Sequence, residues 1–187
     1  MTLFLTAILL GIAVRWVLFR RLVMPRIAMP WLFFAALGWE AAWAFLSLRG
    51  WFSPQVAGPV GQMGTYALLM LAFAANIRLI AFWPALLGAA MNGLVIFANG
   101  GHMPVDLSAL ERAGLGHYRP FIEGARDSLH IPMGPDTALR FFGDWIAIPG
   151  RVISPGDILL VLSMFLLPVF PFPLARLNWA RGQGPHP

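Results

Sequence analysis

Apolar segments long enough to cross a membrane make up most of this chain, and they restrict its fold more than any other feature. The first, Thr2 to Phe19, is sufficient for a hydrocarbon core of about 30 Å at about 1.5 Å per residue. Hydrophobic residues account for 59% of the sequence and charged residues for only 11%, far from the usage of a soluble domain. The sequence therefore predicts an all-α integral membrane protein.

Hydropathy and the spacing of proline and glycine predict five membrane-spanning helices, at about 2–19, 31–48, 61–77, 79–98 and 157–174. Within the second, Gly38 and Ala42 would permit close packing against a neighbouring helix. We expect the first helix to be retained, because it has no positive region before it and no cleavage site after it. Pro84 either bends the fourth helix or is its first residue, so the boundary between the third and fourth helices stays open.

The distribution of arginine predicts the orientation of these helices. All thirteen basic residues are arginine. Near the ends of the apolar segments, Arg49 falls on one predicted side of the membrane. Six arginines fall on the opposite side: Arg20, Arg21, Arg26, Arg78, Arg176 and Arg181. The positive-inside rule then places the N-terminus outside and the C-terminus in the cytoplasm. The arginines form no basic stripe interleaved with aromatic residues, so we expect the lipid bilayer, and not nucleic acid, as a partner.

Between residues 99 and 156 the composition changes, and acids, histidines, glycines and prolines replace the apolar runs. This stretch predicts a compact extracytoplasmic loop. Within it, Ser108 and Glu111 have the spacing of a capping box, which predicts a short helix. A small hairpin is predicted where two short apolar runs flank the Pro149-Gly150 turn.

Several motifs in and beside this loop are distinctive: Asn-Gly-Gly-His-Met-Pro-Val from Asn99 to Val105, Asp136-Thr137-x-Leu139, Gly143-Asp144 and Ser154-x-Gly156-Asp157. In these the chain resembles an uncharacterised family of small bacterial membrane proteins, the domain of unknown function numbered fifty-three seventeen. Pro155 departs from the aliphatic residue expected there. The resemblance implies a multi-pass fold in the bacterial cytoplasmic (inner) membrane with a shared outer-face motif. It implies no activity.

Several charged or amide side chains fall within predicted helices or directly after them. Glu40 is the most informative, because an intramembrane carboxylate is costly unless it is paired, protonated or exposed to water. It is either a proton or ion relay, or a structural group that is hydrogen-bonded inside the bundle or paired with Arg15. Asn92 and Asn99 lie on one helical face, where they either bond a neighbouring helix or contact a ligand, and Asn76 belongs to a similar stripe.

The loop carries the residues that an enzyme would use. His102 and His130 are candidate acid/base groups, with Asp144 as the residue that orients them and Arg140 as a clamp for phosphate. The alternative is structural: exposed loop histidines, with Asp106 and aspartates like it capping turns or bonding backbone amides. No histidine spacing typical of a metal site is present, so no metal is predicted. The sequence does not identify a cofactor.

The function favoured by these patterns is a binding or accessory membrane component. Its outer face would engage a lipid or isoprenoid, or a protein partner in a larger complex, through a set of candidate residues: Asn92, Asn99, Gly100, Gly101, His102, Pro104, Asp136, Arg140 and Asp144. One alternative is an enzyme acting on a lipid-linked substrate at the outer leaflet. A small permease using Glu40 is a weaker alternative, since no inverted repeat is visible. An open cleft that unites His102, His130 and Asp144 would favour the enzyme.

Overall fold

A computed structural model of the chain describes residues 2–23, 25–124 and 126–171. Most of these residues belong to five long helices: α1 (Thr2–Phe19), α2 (Trp31–Leu48), α3 (Pro54–Ala75), α4 (Phe82–Ala98) and α7 (Pro155–Val169). Among the described residues, α1, α2 and α3 are long and apolar enough to cross a membrane. The other two helices are apolar but shorter. A mostly helical fold with candidate membrane spans is therefore confirmed.

The five helices form a row in the order α2, α3, α4, α7, α1, since each packs extensively on its neighbour in that sequence. Helices α1 and α2 stand at the two ends of the row, and between their described residues there is at most marginal contact. Close packing depends on glycines. A Cβ at Gly11 would strike the backbone of α7 at Phe165, and one at Gly88 would strike the backbone of α7 at Gly156.

The expected close packing at Gly38 and Ala42 is wrong. Both residues are exposed, and a Cβ added at Gly38 would meet nothing within 4 Å. Gly38 and Ala42 therefore lie on the surface, whereas Ala36 is buried. Two hydrogen bonds join α2 and α3: Trp39 Nε1 donates to the carbonyl oxygen of Val60 at 3.1 Å, and the Thr65 hydroxyl donates to the carbonyl oxygen of Ala36 at 3.4 Å.

Residues 99–154, which we call the cap, cover one end of the bundle. They contain helices α5 (Leu107–Arg112) and α6 (Arg119–Glu123) and four short strands: β1 (Met103–Val105), β2 (His130–Pro132), β3 (Ile146–Ile148) and β4 (Arg151–Ile153). Strands β3 and β4 form the predicted antiparallel hairpin, and Gly150 at its turn has a φ of +74°. Strands β1 and β2 pair in parallel. That pairing joins two distant three-residue segments and was not predicted.

The start of α1 lies at the cap end of the bundle, because a nitrogen of Arg151 in β4 donates to the Thr2 hydroxyl at 2.6 Å. The start of α3 also lies there, since Gln62 Nε2 donates to the carbonyl oxygen of Leu129 in the cap at 3.1 Å. Successive helices alternate in direction, so the connections at 20–30 and 76–81 lie at the opposite end.

Three predicted boundaries were wrong. Helix α3 begins at Pro54 and not near residue 61, because proline at the first helical position starts a helix instead of excluding one. Helix α4 begins at Phe82, so Pro84 is in its first turn and not at its first position. The N-terminal capping residue of helix α5 is Asp106 and not Ser108, because the Asp106 side chain accepts from the Ser108 amide.

The last helix begins as a capping box. The Ser154 hydroxyl accepts from the Asp157 amide, and the Asp157 carboxylate accepts from the Ser154 amide. Pro168 lies inside the helix, which ends at Val169, short of the predicted residue 174. Residues 172–187, including Arg176 and Arg181, lie outside the described part of the chain.

Candidate functional site

The first component of the site is the pair Asp127 and His130, which the loop before β2 holds together. Asp127 Oδ1 accepts from the Leu129 amide at 2.7 Å and from the His130 amide at 3.2 Å. Its other oxygen lies 2.9 Å from His130 Nδ1. This arrangement fixes the orientation of the ring and places the Nδ1 proton toward Asp127, which leaves Nε2 for another partner.

Burial of the His130 ring lowers its pKa, but the hydrogen bond to Asp127 and the negative charges of Asp127 and Asp144 outweigh this effect, so the pKa lies above its ordinary value. For Asp127, burial raises the pKa, and the hydrogen bonds from His130 and Leu129 more than reverse it. Each member of the pair therefore favours the charged form of the other.

The second component is Asp144, which the backbone fixes beside β1. Its amide donates to the carbonyl oxygen of Pro104, and its own carbonyl oxygen accepts from the amide of Asp106, both at 2.8 Å. The side chain is buried, with a residue exposure of 8%. Within the described part of the chain, its Oδ1 atom has no hydrogen-bond partner.

Burial, together with the negative charge of Asp157, raises the pKa of Asp144 to about 7, against a smaller opposing effect of His130. Asp144 can therefore give or accept a proton near neutral pH. A buried acceptor without a partner is unfavourable by about 1–3 kcal/mol, so a hydrogen-bond donor that reached Asp144 Oδ1 would bind favourably.

Two cavities meet at these residues. The first, the cap cavity, has a volume of about 380 Å³ and lies among the cap, the start of α1 and the start of α7. The second, the groove, has a volume of about 370 Å³. Residues from all five long helices line it, including α1 and α2 from the two ends of the row. Four residues line both: Phe4, His130, Asp144 and Asp157.

The groove combines apolar walls with acidic groups. Its lining includes one residue from each of α1 and α2, Phe4 and Glu40, as well as residues from α3, α4 and α7. Three carboxyl groups line it, those of Glu40, Asp144 and Asp157, and none of the described arginines does. Gln62 contributes a buried Oε1 atom that has no partner among the described residues.

Asn92 fixes one of these carboxyl groups. It is fully buried in α4, and its Nδ2 donates to Asp157 Oδ1 at 2.8 Å, with a longer contact to the Tyr66 hydroxyl at 3.3 Å. Its Oδ1 accepts from the Ser154 hydroxyl at 2.8 Å. The Asn92 amide is thus occupied by protein groups. It positions Asp157 at the edge of the groove, and Asn92 itself lines neither cavity.

The comparisons with known proteins concern the region that builds this site. A family model described as a family of unknown function (DUF5317) matches residues 25–169. The chain belongs to this family. No curated protein and no solved structure matches it. The matched region contains the whole cap and every described helix of this DUF5317 protein except α1.

The side chain of Asn99 is also hydrogen-bonded to other groups of the protein. Its Nδ2 donates to the carbonyl oxygen of Ala138 at 2.9 Å, and its Oδ1 accepts from the Ala138 amide at 3.1 Å, so it ties the cap to the end of α4. Gly100 and Gly101 have φ angles of +68° and +89°, and a Cβ at Gly101 would collide with Pro59. Together with the fully buried Pro104, these residues shape the cap and do not line either cavity.

His102, Asp136 and Arg140 do not join His130 and Asp144, since none of the three lines either cavity. His102 is half-buried, and Asp136 and Arg140 are exposed. Arg140 instead borders a shallow depression beside Phe141 and Trp145. The three residues that would favour an enzyme therefore do not share one cleft, although His130 and Asp144 do.

The polar residues within the helices have distinct surroundings. Arg15 is buried and donates to the carbonyl oxygen of Val169 at 2.9 Å, at the end of the bundle away from the cap. Asn76 bonds both the amide and the carbonyl oxygen of Ala28, so it holds the connection between α1 and α2. Glu40 is exposed and lines the groove. The carboxyl groups of Asp144 and Asp157 line the same groove.

Sequence reasoning did not select Asp127 or Gln62. The spacing of Asp127 and His130, three residues apart, is a local signal that would have identified the pair. Gln62 had no such signal, because a glutamine near the start of a helix is common, and only the packing of α3 against the cap brings it to the groove. Among the described residues, His, Asp and Glu side chains form no cluster of three or more that could hold a metal ion.

Proposed function

We propose that this DUF5317 protein is a multi-pass membrane protein that binds an amphiphilic molecule of the lipid or isoprenoid class. The apolar chain of the ligand would lie in the groove, and its polar end would meet Asp144 beside His130. One observation carries the proposal: a buried carboxyl group with an unpartnered oxygen lies where two largely apolar cavities meet. Binding sites for small molecules commonly combine apolar walls with a few fixed polar groups.

The groove would be reached from the bilayer. Its two flanking helices, α1 and α2, barely contact each other, so a chain would enter sideways between them. For all five helices to cross, α4 and α7 must also span. Their 17 and 15 residues extend only about 26 and 23 Å at 1.5 Å per residue. Local thinning of the bilayer would accommodate this difference.

Charge supports an orientation with the cap outside the cytoplasmic membrane of a bacterium. The connections at the end opposite the cap carry Arg20, Arg21, Arg26 and Arg78, whereas seven of the eight acids fall between Asp106 and Asp157. The positive-inside rule then places the arginine-rich end in the cytoplasm. The ligand's polar end would lie at the depth of the outer leaflet.

Mass spectrometry of molecules that co-purify with the gently extracted protein tests the proposal. We expect wild type to retain a specific amphiphile that Asp144→Asn loses, because the substitution keeps the shape of the side chain and removes its charge. Asp136→Asn, at an exposed position away from both cavities, is the matched control and should retain it. Recovery of a stoichiometric protein partner instead, with no amphiphile in any variant, would contradict lipid binding and favour an accessory subunit.

A second candidate function is enzymatic, and the hydrogen bond between Asp127 and His130 favours it. A histidine held by a carboxylate and facing a cavity suits general acid/base catalysis. Incubation of the purified protein with its co-purified amphiphile tests this candidate. Conversion that stops in His130→Gln while binding persists would establish catalysis, and a ligand unchanged by wild type would leave only the binding function.

A further inference from the structure

We propose that the polar end of the ligand is a primary ammonium group, so that the groove selects amine-bearing amphiphiles over neutral and anionic ones. The inference rests on the proposed function and adds the chemical class of the ligand. It depends on the charges that line the groove and on the two acceptor atoms left without partners.

The charge of the groove is opposite to that of the chain. The protein has thirteen basic and eight acidic residues, for a net charge of +5. Three of the eight acids line the groove, those of Glu40, Asp144 and Asp157, with His130 as the one basic side chain beside them. A phosphate beside Asp144 would share the groove with the carboxyl groups of Glu40 and Asp157, where charges are screened less than in water. The lining therefore disfavours the head groups of anionic lipids.

Two buried side-chain atoms of groove-lining residues have no hydrogen-bond partner among the described residues, and both are acceptors. Asp144 Oδ1 and Gln62 Oε1 are buried and accept no hydrogen bond from any described residue. By contrast, the oxygens of Asp157 are occupied by Asn92 and Ser154, and Gln62 Nε2 is occupied by Leu129. These two buried acceptors require a donor, and three carboxyl groups against one histidine favour a donor that also carries positive charge.

A primary ammonium supplies both. It carries three donors, no acceptor and a compact positive charge. A hydroxyl group donates only one hydrogen bond and brings no charge, and a quaternary ammonium brings charge without a donor. The apolar side chains along the groove, which include Phe4, Leu69, Ile96 and Leu160, are suited to the alkyl chain behind the head group. Charge and hydrogen bonding thus point to the same class.

A series of twelve-carbon amphiphiles with different head groups tests this selection on the full chain in maltoside micelles. The probes are dodecylamine, dodecyltrimethylammonium, dodecanol and dodecyl phosphate, and saturable binding is measured by equilibrium dialysis with thermal unfolding as a second readout. We expect dodecylamine to bind at one molecule per chain, at least about tenfold more tightly than the other three. Dodecyltrimethylammonium controls for adsorption of cations to the micelle.

Two variants assign the effect to the groove. Asp144→Asn should weaken dodecylamine binding at least about tenfold, and Gln62→Leu should weaken it less, whereas Asp136→Asn should leave it unchanged. Equal or tighter binding of dodecanol or dodecyl phosphate by wild type would overturn the ammonium inference and leave the proposed function standing. If no probe binds saturably and no amphiphile co-purifies, both the inference and the proposed function fail.

Discussion

At the scale of single residues, polar groups of this protein divide into two kinds. Asn76, Asn92 and Asn99 have side-chain amides that are occupied by protein groups, and each one ties a connection or a helix end to the bundle. Asp144 is buried to a similar degree, yet one of its oxygens is left without a described partner. Groups of the first kind stabilise the fold, whereas burial disfavours the ionised form of Asp144, which makes it the better candidate for function.

The pH dependence of the free energy of unfolding should show that burial disfavours the ionised form of Asp144. The pKa of Asp144 is raised from its ordinary value of 3.8 to about 7 in the folded protein. Its contribution to stability is therefore fully present below about pH 4 and is lost as the pH rises through 7. At pH 8 the loss is on the order of 4 kcal/mol at most, from about 1.4 kcal/mol per pKa unit.

Asp144→Asn removes this titration. We expect the variant to be more stable than wild type at pH 8, by roughly 5 °C in Tm, with the advantage shrinking or reversing at pH 5. Thermal unfolding of ligand-free protein in detergent at the two pH values measures the difference. An effect of the substitution that is the same at both values would show that Asp144 does not titrate in this range.

At the scale of helices, the long joint between α4 and α7 depends on glycine. A Cβ at Gly88 would meet the Gly156 carbonyl oxygen well inside van der Waals contact and Leu159 Cβ at 3.0 Å. Because the obstructing atoms include backbone, the two helices would have to separate. That movement would also disturb Asn92, which bonds Ser154 and Asp157 across the same joint.

Gly88→Ala is therefore expected to destabilise the protein by about 1–3 kcal/mol, measured as a fall in Tm. Gly38→Ala is the matched control, since a Cβ there meets nothing within 4 Å, and it should have little effect or raise stability by less than about 1 kcal/mol. Equal effects at the two glycines would mean that the α4–α7 joint is not closely packed.

The sequence predicts some of the helices and strands correctly and misses others. The bounds predicted for the first two helices agree with α1 and α2, because charge or proline interrupts the apolar runs there. The hairpin β3–β4 followed from its Pro-Gly turn. The parallel pairing of β1 with β2 did not, because its three-residue strands carry no periodicity and only the packing of the cap joins them. The groove, which needs residues from all five helices, was missed for the same reason.

At the scale of the whole molecule, the charge distribution predicts which end of the bundle faces the cytoplasm. The chain has no cysteine, so single cysteines report their own accessibility to a membrane-impermeant maleimide. We expect Asp136→Cys, in the cap, to be labelled in intact spheroplasts, and Arg21→Cys, after α1, to be labelled only once the membrane is permeabilised. Both positions are exposed, so the reverse pattern would invert the orientation.

The order of the helices in the row determines from which sides the groove is open. Helices α1 and α2 stand at opposite ends of the row and both border the groove. In the proposed function, a ligand within the bilayer would therefore reach Asp144 without passing through the cap. The cap cavity reaches the same residue from the other side. This geometry would suit the proposed ligand, which is apolar along most of its length.

A density map of the protein in lipid nanodiscs, determined with an antibody fragment and without added ligand, tests the central claim most directly. We predict elongated density between α1 and α2 that ends within hydrogen-bonding distance, about 3 Å, of Asp144 Oδ1. Helices α1 and α2 in continuous contact, with the groove closed and empty, would contradict the account.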